Sequence, residues 1–231
     1  MTNRIARAGL ALAAAVALAQ VSPAASGSGM STPSPPPSPG AMMTPEDIAK
    51  AAYNSGIDHK DKGLKLEQKA ADEQAKDREK NAAKARSEYE KALKDFKKAS
   101  ELAPDLYQAY NGMGFAYRKT GDYTRALEMY DKALKLAPGF PDAVEYRGEA
   151  YLALNRVDDA KQAYLELFAS DRKQANQLMK AMNDWIAKRK ADPSGVDPSA
   201  VTSFESWVRE RSSLAGQTAQ MALHTPHASW R

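Results

Sequence analysis

The 231-residue chain contains no cysteine, which excludes disulfide bonds, thiolate metal sites, thiol nucleophiles and the lipid-modified cysteine of a bacterial lipoprotein. Histidine is scarce as well, with only His59, His224 and His227 in the sequence. The last two lie in a tail without a carboxylate framework that would complete a metal site. We therefore predict that the protein has no metal site and no cofactor.

Neither sign of charge is in large excess, since 33 lysines and arginines face 29 aspartates and glutamates. Removing Arg4 and Arg7, which lie in a segment that we expect to be cleaved off, lowers the net charge from +4 to +2. Such a small excess gives no indication of a nucleic-acid partner or of an acidic membrane surface. Glycine-rich phosphate loops, HExxH pairs and nucleophile elbows are also missing from the sequence, so we predict that the protein is not an enzyme.

The N-terminus has the composition of a signal peptide, which we assign to residues 1–25. Arg4 and Arg7 precede an apolar run from Ala8 to Ala19, and small residues that suit cleavage follow it. The run of about 12 residues is shorter than the roughly 20 of a membrane-spanning helix, although an uncleaved membrane anchor is the alternative. We expect a periplasmic or secreted protein, without stable membrane insertion after cleavage.

After a proline- and serine-rich stretch, residues 26–44, which we predict to be a flexible linker, the sequence becomes helical in pattern and repeats itself every 34 residues. Residues 107–140 and 141–174 align without a gap. A single helix pair cannot bury its apolar face, so we expect the copies to stack. Small and aromatic residues recur at matching places, namely Gly114 and Gly148, Tyr117 and Tyr151, Ala126 and Ala160, and Tyr130 and Tyr164.

This pattern resembles the tetratricopeptide repeat, and the chain is similar to exported bacterial proteins of that family. The third copy departs from the motif at Leu167 and Arg172, as is common where an array ends. The resemblance covers residues 45–174 and implies an all-α fold, a right-handed superhelix of helix-turn-helix repeats with C-terminal capping helices. The second copy carries the small, aromatic and proline residues of the motif, which are Gly114, Tyr117, Ala126, Tyr130, Ala133 and Pro138.

The first repeat is interrupted. The motif of its first helix lies around Gly56, whereas the motif of its second helix begins only at Tyr89. We therefore predict a first repeat over residues 49–106 that is split by a helical insertion, residues 65–88, which contains no glycine or proline and many strong helix formers. A hairpin that turns near Asp77–Asn81 is favoured over one long helix from Leu64 to Ala103. The second-helix pattern consists of Tyr89, Ala92, Phe96 and Ala99.

Helical patterns continue after the repeats. Apolar residues at helical spacing predict another amphipathic helix over residues 175–190, which completes a repeat domain that spans residues 45–190. Asp197 and Pro198 then offer an N-cap followed by proline at the first helical position. We predict a capping helix within residues 191–216 and a mobile tail over residues 217–231.

The resemblance also implies which residues line the concave face, because certain first-helix positions do so in this family. We expect a groove with a basic and aromatic end and an acidic end, which would orient an extended peptide or a helix of mixed charge. The clamp with which chaperone adaptors of the family grip a C-terminal carboxylate is missing, since the equivalent places hold Tyr53, Ile57, Gly112, Asp142 and Tyr146. The groove positions are Lys50, Tyr53, Ile57 and Lys60 in the first repeat, Gln108, Asn111, Phe115, Arg118 and Lys119 in the second, and Asp142, Glu145, Glu149 and Leu152 in the third.

These features favour a non-enzymatic scaffold or adaptor in the cell envelope, which binds a partner peptide or helix in its concave face. The alternative is a structural protein that forms a homo-oligomer through a coiled-coil arm built from residues 65–88. The fold does not name the partner, because function depends on the site and not on the fold.

Overall fold

The computed structural model describes residues 43–72, 75–193 and 195–224. The predicted signal peptide, residues 26–42 of the predicted linker and residues 225–231 of the predicted tail lie outside these ranges. Within them the secondary structure is entirely helical, and no helix has both the length and the apolar character needed to cross a membrane. The helices are α1 (Pro45–Asp72), α2 (Ala75–Leu102), α3 (Tyr107–Thr120), α4 (Tyr123–Leu136), α5 (Pro141–Ala153), α6 (Val157–Ser170), α7 (Arg172–Ala191) and α8 (Pro198–His224).

Consecutive helices pack in pairs, and each pair stacks on the next. The odd-numbered helices also contact one another, α1 with α3, α3 with α5 and α5 with α7. The odd-numbered helices therefore form one layer of the array. We call the surface of this layer the inner face. The predicted all-α helical-repeat fold is confirmed.

The first helix pair is twice as long as the next. Helices α1 and α2 have 28 residues each, or about 42 Å, whereas α3 and α4 have 14, or about 21 Å. The region predicted as an insertion folds as a hairpin that lengthens both helices of the first repeat, and the single helix from Leu64 to Ala103 does not form. The turn predicted at Asp77–Asn81 is wrong, because these residues lie inside α2, where no glycine or proline interrupts the helix and Asn81 is buried.

Aromatic rings of the even-numbered helices lie directly on glycine backbones of the odd-numbered helices. A Cβ atom added to Gly56 would lie 2.6 Å from the ring of Phe96, and one added to Gly112 would lie 2.7 Å from the same ring. A Cβ atom at Gly114 would lie 2.5 Å from the ring of Tyr130. Phe96 is completely buried, so its ring holds α1 and α3 at a fixed spacing.

The turns within the second and third repeats use the same backbone conformation with different residues. Gly121 has a φ of 90° after α3, and Asn155, at the matching place after α5, has a φ of 58°. Glycine adopts this left-handed conformation freely, and asparagine tolerates it better than most residues. The Oδ1 atom of Asn155 also accepts a hydrogen bond from Nη2 of Arg189 at 2.9 Å, which ties the turn to α7.

Helices α7 and α8 form a fourth helix pair that closes the array. Phe204 and Val208 of α8 are buried in one cluster with Leu178 and Met182 of α7. The capping helix begins at Pro198, as the pattern of Asp197 and Pro198 predicts. It continues to His224, so residues 217–224 of the predicted tail are helical, in a segment rich in helix formers. The outward face of α8 is polar, and it exposes Ser199, Thr202, Ser203 and Ser206.

We expect Gly112→Ala to lower the free energy of unfolding by about 1–3 kcal/mol, because the new methyl group would overlap a fully enclosed ring. Urea unfolding followed by circular dichroism measures the change. Gly216→Ala is the matched control, since nothing lies within 4 Å of a Cβ atom there. Helix propensity should then stabilise the control by about 0.5–1 kcal/mol. Equal stability of Gly112→Ala and the unmodified chain would show that the Phe96 contact does not constrain the fold.

Candidate functional site

The predicted groove residues lie together on α1, α3 and α5, at the inner face. All of them except Glu145 line three adjoining depressions, which we call the N-terminal cleft, the central pocket and the charged pocket. The structure therefore brings these residues into one region. That they bind a partner stays a prediction.

The N-terminal cleft has the largest volume of the three, about 940 Å³. It lies between the first turns of α1 and α3 and the loop that joins α2 to α3. Its surface is mostly apolar, and its charged lining residues are Glu46, Lys50 and Asp105. The lining residues that sequence reasoning missed come from the loop and from the start of α1, among them Pro45, Leu102, Pro104 and Leu106.

The central pocket is small, about 80 Å³, and it lies between α1, α3 and α5. The side-chain oxygens of Gln108 and Asn111 are buried here and make no hydrogen bond. The carboxylate of Asp142 accepts a hydrogen bond from the amide of Gln174 in α7. The complete lining consists of Tyr53, Ile57, Lys60, Gln108, Asn111, Gly112, Phe115, Phe140, Asp142 and Tyr146.

The charged pocket has a volume of about 420 Å³ and holds paired charges. Arg118 donates a hydrogen bond to Glu149, and Nζ of Lys119 donates one to Oε2 of Glu67 at 2.6 Å. The expected division of the groove into a basic and an acidic end is wrong at this point. A basic residue of α3 and an acidic residue of α5 lie side by side and neutralise each other, because the two helices are neighbours.

An aromatic floor lies beneath these cations. The ring of Phe115 contacts the rings of Tyr89 and Tyr146, with centroids 5.8 and 5.3 Å away. Phe115 and Leu152 are only 4% and 3% exposed, so most of each side chain packs within the inner face. Three cations lie within 6 Å of the Phe115 ring centroid, Lys60 at 5.7 Å, Arg118 at 5.3 Å and Lys119 at 5.7 Å.

Glu145 is a carboxyl group below the same floor, 1% exposed. Its Oε2 atom has no hydrogen-bond partner. Burial, reinforced by the negative charge of Glu149, raises the pKa of Glu145 to about 8, and the nearby guanidinium of Arg118 opposes this rise. Glu145 is therefore mostly neutral at pH 7, in contrast to the acidic charge that the sequence predicts for it in the groove.

Several residues of the charged pocket were not predicted. Glu67 belongs to the insertion, where the repeat positions cannot be counted, and Asp184 belongs to α7. Trp185 follows Tyr117 and Tyr151 at the same 34-residue spacing, so a continued count would have found it. Across the described residues, no cluster of three or more histidine, aspartate or glutamate side chains has a geometry that would hold a metal ion.

Solved structures that resemble the chain are distant from it in sequence. The chain is 20% identical to the first TPR of Spaghetti (RPAP3) bound to an HSP90 peptide, with 54% of this chain and 94% of that chain covered and a TM-score of 0.39. It is 21% identical to the Sgt2 TPR domain from Aspergillus fumigatus, with coverages of 67% and 82% and a TM-score of 0.35. It is 14% identical to MamA, with coverages of 76% and 99% and a TM-score of 0.40.

Family models match part of the chain directly. Residues 107–140 match the tetratricopeptide repeat, and residues 81–121 match a second model described as a TPR repeat. No curated protein matches the chain at a significant level. The two matched segments coincide with α3 and α4 and with most of α2. Residues 81–140 are therefore similar in sequence to the tetratricopeptide repeat.

Proposed function

We propose that the chain is a non-enzymatic adaptor that binds an extended peptide or a helix of a partner protein at its inner face. Tetratricopeptide repeats are in general protein-binding modules, and their stacked arrays present long surfaces for this purpose. The observation that carries the proposal is the pair of buried carboxamide oxygens of Gln108 and Asn111, which make no hydrogen bond.

An unpaired buried polar group costs about 1–3 kcal/mol, so a ligand that pairs it gains that free energy. A carboxamide both donates and accepts hydrogen bonds, as the backbone of a peptide does. Gln108 and Asn111 come from the same side of α3 and open into one pocket. This arrangement suits a peptide backbone that crosses α3.

Lys60 gives the same pocket a positive charge. Arg118 and Lys119 are hydrogen-bonded to Glu149 and Glu67, whereas Lys60 lies 3.9 Å from the more exposed carboxylate of its neighbour Asp61. An exposed contact of this length contributes little. Lys60 is therefore well placed to pair with an acidic residue of the partner.

We also propose that the protein acts outside the cytoplasm, because residues 1–25 have the charged start, apolar run and small-residue end of a signal peptide. The adaptor would then meet its partner in the periplasm or outside the cell. Homo-oligomer formation through residues 65–88 has no specific observation in its favour.

The double variant Lys60→Ala/Asn111→Ala should weaken partner binding on the order of 100-fold, since it removes one charged and one neutral hydrogen bond. Affinity capture from an extract of the source cells, quantified by mass spectrometry, measures this loss. The matched control is Lys98→Ala/Lys135→Ala, which removes two exposed lysines of α2 and α4. A partner retained by the unmodified chain and by the control, and lost from the first variant, supports the proposal. The same set of proteins on all three would contradict it.

Export predicts a defined N-terminus. N-terminal sequencing of the exported protein should find Ala25 or Gly27. These residues follow the two small-residue motifs that suit cleavage, Ser22-Pro23-Ala24 and Ala24-Ala25-Ser26. Val16→Arg places a charge in the apolar run and should leave the chain inside the cell with Met1 in place. Exported protein that still begins at Met1 would show that residues 1–25 are not a cleaved signal peptide.

A further inference from the structure

Two carboxyl groups on one side of α5 share a single guanidinium. Glu145 and Glu149 are separated by one helical turn, and Arg118 of α3 is hydrogen-bonded to Glu149. The Nε atom of Arg118 is buried and makes no hydrogen bond, and Oε2 of Glu145 is in the same condition. Both atoms lie in one buried cluster, in which Glu149 is close enough to Glu145 to hydrogen-bond its carboxyl group.

The positive charge of Arg118 balances the negative charge of Glu149 only while Glu145 carries a proton. Two ionised carboxylates at adjacent turns of one helix repel each other, and one guanidinium provides a single positive charge. Glu145 is almost fully buried, so water cannot stabilise its charge. Loss of the proton would bring a second anion to Arg118, in competition with Glu149.

Among the groups that shift the pKa of Glu145, Arg118 is the cation and Glu149 and Asp142 are anions, while Lys119 is engaged by Glu67. Helix α4 contributes the buried Tyr130, and α5 itself contributes Asp142, whose negative charge also disfavours ionisation. From α6, Glu166 lies toward solvent near Arg147. From α7, Gln174 binds Asp142, and Asp184 adds a further negative charge at the charged pocket.

We propose that Glu145, Glu149 and Arg118 form a proton-controlled latch between α3 and α5 at the floor of the inner face. With Glu145 protonated, Arg118 binds Glu149 and stays over the rings of Phe115 and Tyr146, at 5.3 and 5.1 Å from their centroids. With Glu145 ionised, Arg118 is shared between two carboxylates, and the contact of α3 with α5 loosens. Partner binding therefore depends on pH, a consequence that rests on the proposed function.

The direction of the effect follows from the pKa. The pKa of Glu145 is raised from its ordinary value of 4.5 to about 8 in the folded chain. Its contribution to stability is therefore fully present below about pH 4.5 and is lost as the pH rises through about 8. The stability of the chain therefore changes with Glu145 between about pH 4.5 and pH 8, and slightly above pH 8.

Thermal unfolding at pH values from 5 to 9.5 tests the latch. We expect the Tm of the unmodified chain to fall by several degrees more than that of Glu145→Gln, because glutamine keeps the shape and neutrality of the protonated side chain. Glu128→Gln is the control, because Glu128 is exposed on α4, and it should follow the unmodified chain. Parallel curves for Glu145→Gln and the unmodified chain would overturn the latch.

A second measurement does not depend on the variant being stable. Nuclear magnetic resonance of the side-chain carboxyl carbons should show one glutamate with a midpoint near pH 8, which the Glu145→Gln variant lacks. The absence of any glutamate midpoint near pH 8 would also overturn the latch. Both measurements use the chain without a partner, so failure of the capture experiment would refute the adaptor function and leave the latch standing.

Discussion

The close contact between an aromatic ring and a glycine backbone is the constraint on which the rest of the structure depends. Phe96 lies between Gly56 of α1 and Gly112 of α3, and no side chain other than hydrogen fits at either place. This contact sets the separation of the inner helices, and that separation sets the width of the central pocket. The glycines of the repeat therefore determine the shape of the face at which a peptide would bind, although they contact no ligand.

The inner face is made of the same residues that hold the helices together. Phe115 contacts aromatic rings on both sides and carries three cations above it, so it belongs to the core and to the floor of the face. Arg118 joins α3 to α5 through Glu149. A change in the charge of this layer thus affects both the packing of the helices and the surface that they present.

The repeat pattern in the sequence was sufficient to predict the helices between residues 107 and 174, because glycine, alanine and aromatic residues mark every close contact there. It failed where that pattern is missing. The hairpin turn was placed too late because residues 75–81 contain nothing that stops a helix, and the length of α8 was underestimated for the same reason.

The repeat pattern predicted on which helices the site residues lie, but it did not predict how deeply each side chain is buried. Counting repeat positions tells which side of a helix a residue is on, whereas the burial of Phe115, Glu145 and Leu152 depends on the size of side chains from neighbouring helices.

The long first hairpin has a consequence for folding. Each helix pair contacts the pairs beside it, so the contacts are local in the sequence and the chain has a low contact order, which favours rapid folding. In such an array stability is a sum of terms from each repeat and from its interfaces with its neighbours. The distal half of the hairpin closes on small residues such as Ala70 and Ala85, and it reaches α3 through the hydrogen bond between Lys119 and Glu67. Loss of the contacts in this half therefore lowers stability through its own term and its one interface, while the interfaces between the later repeats are unchanged.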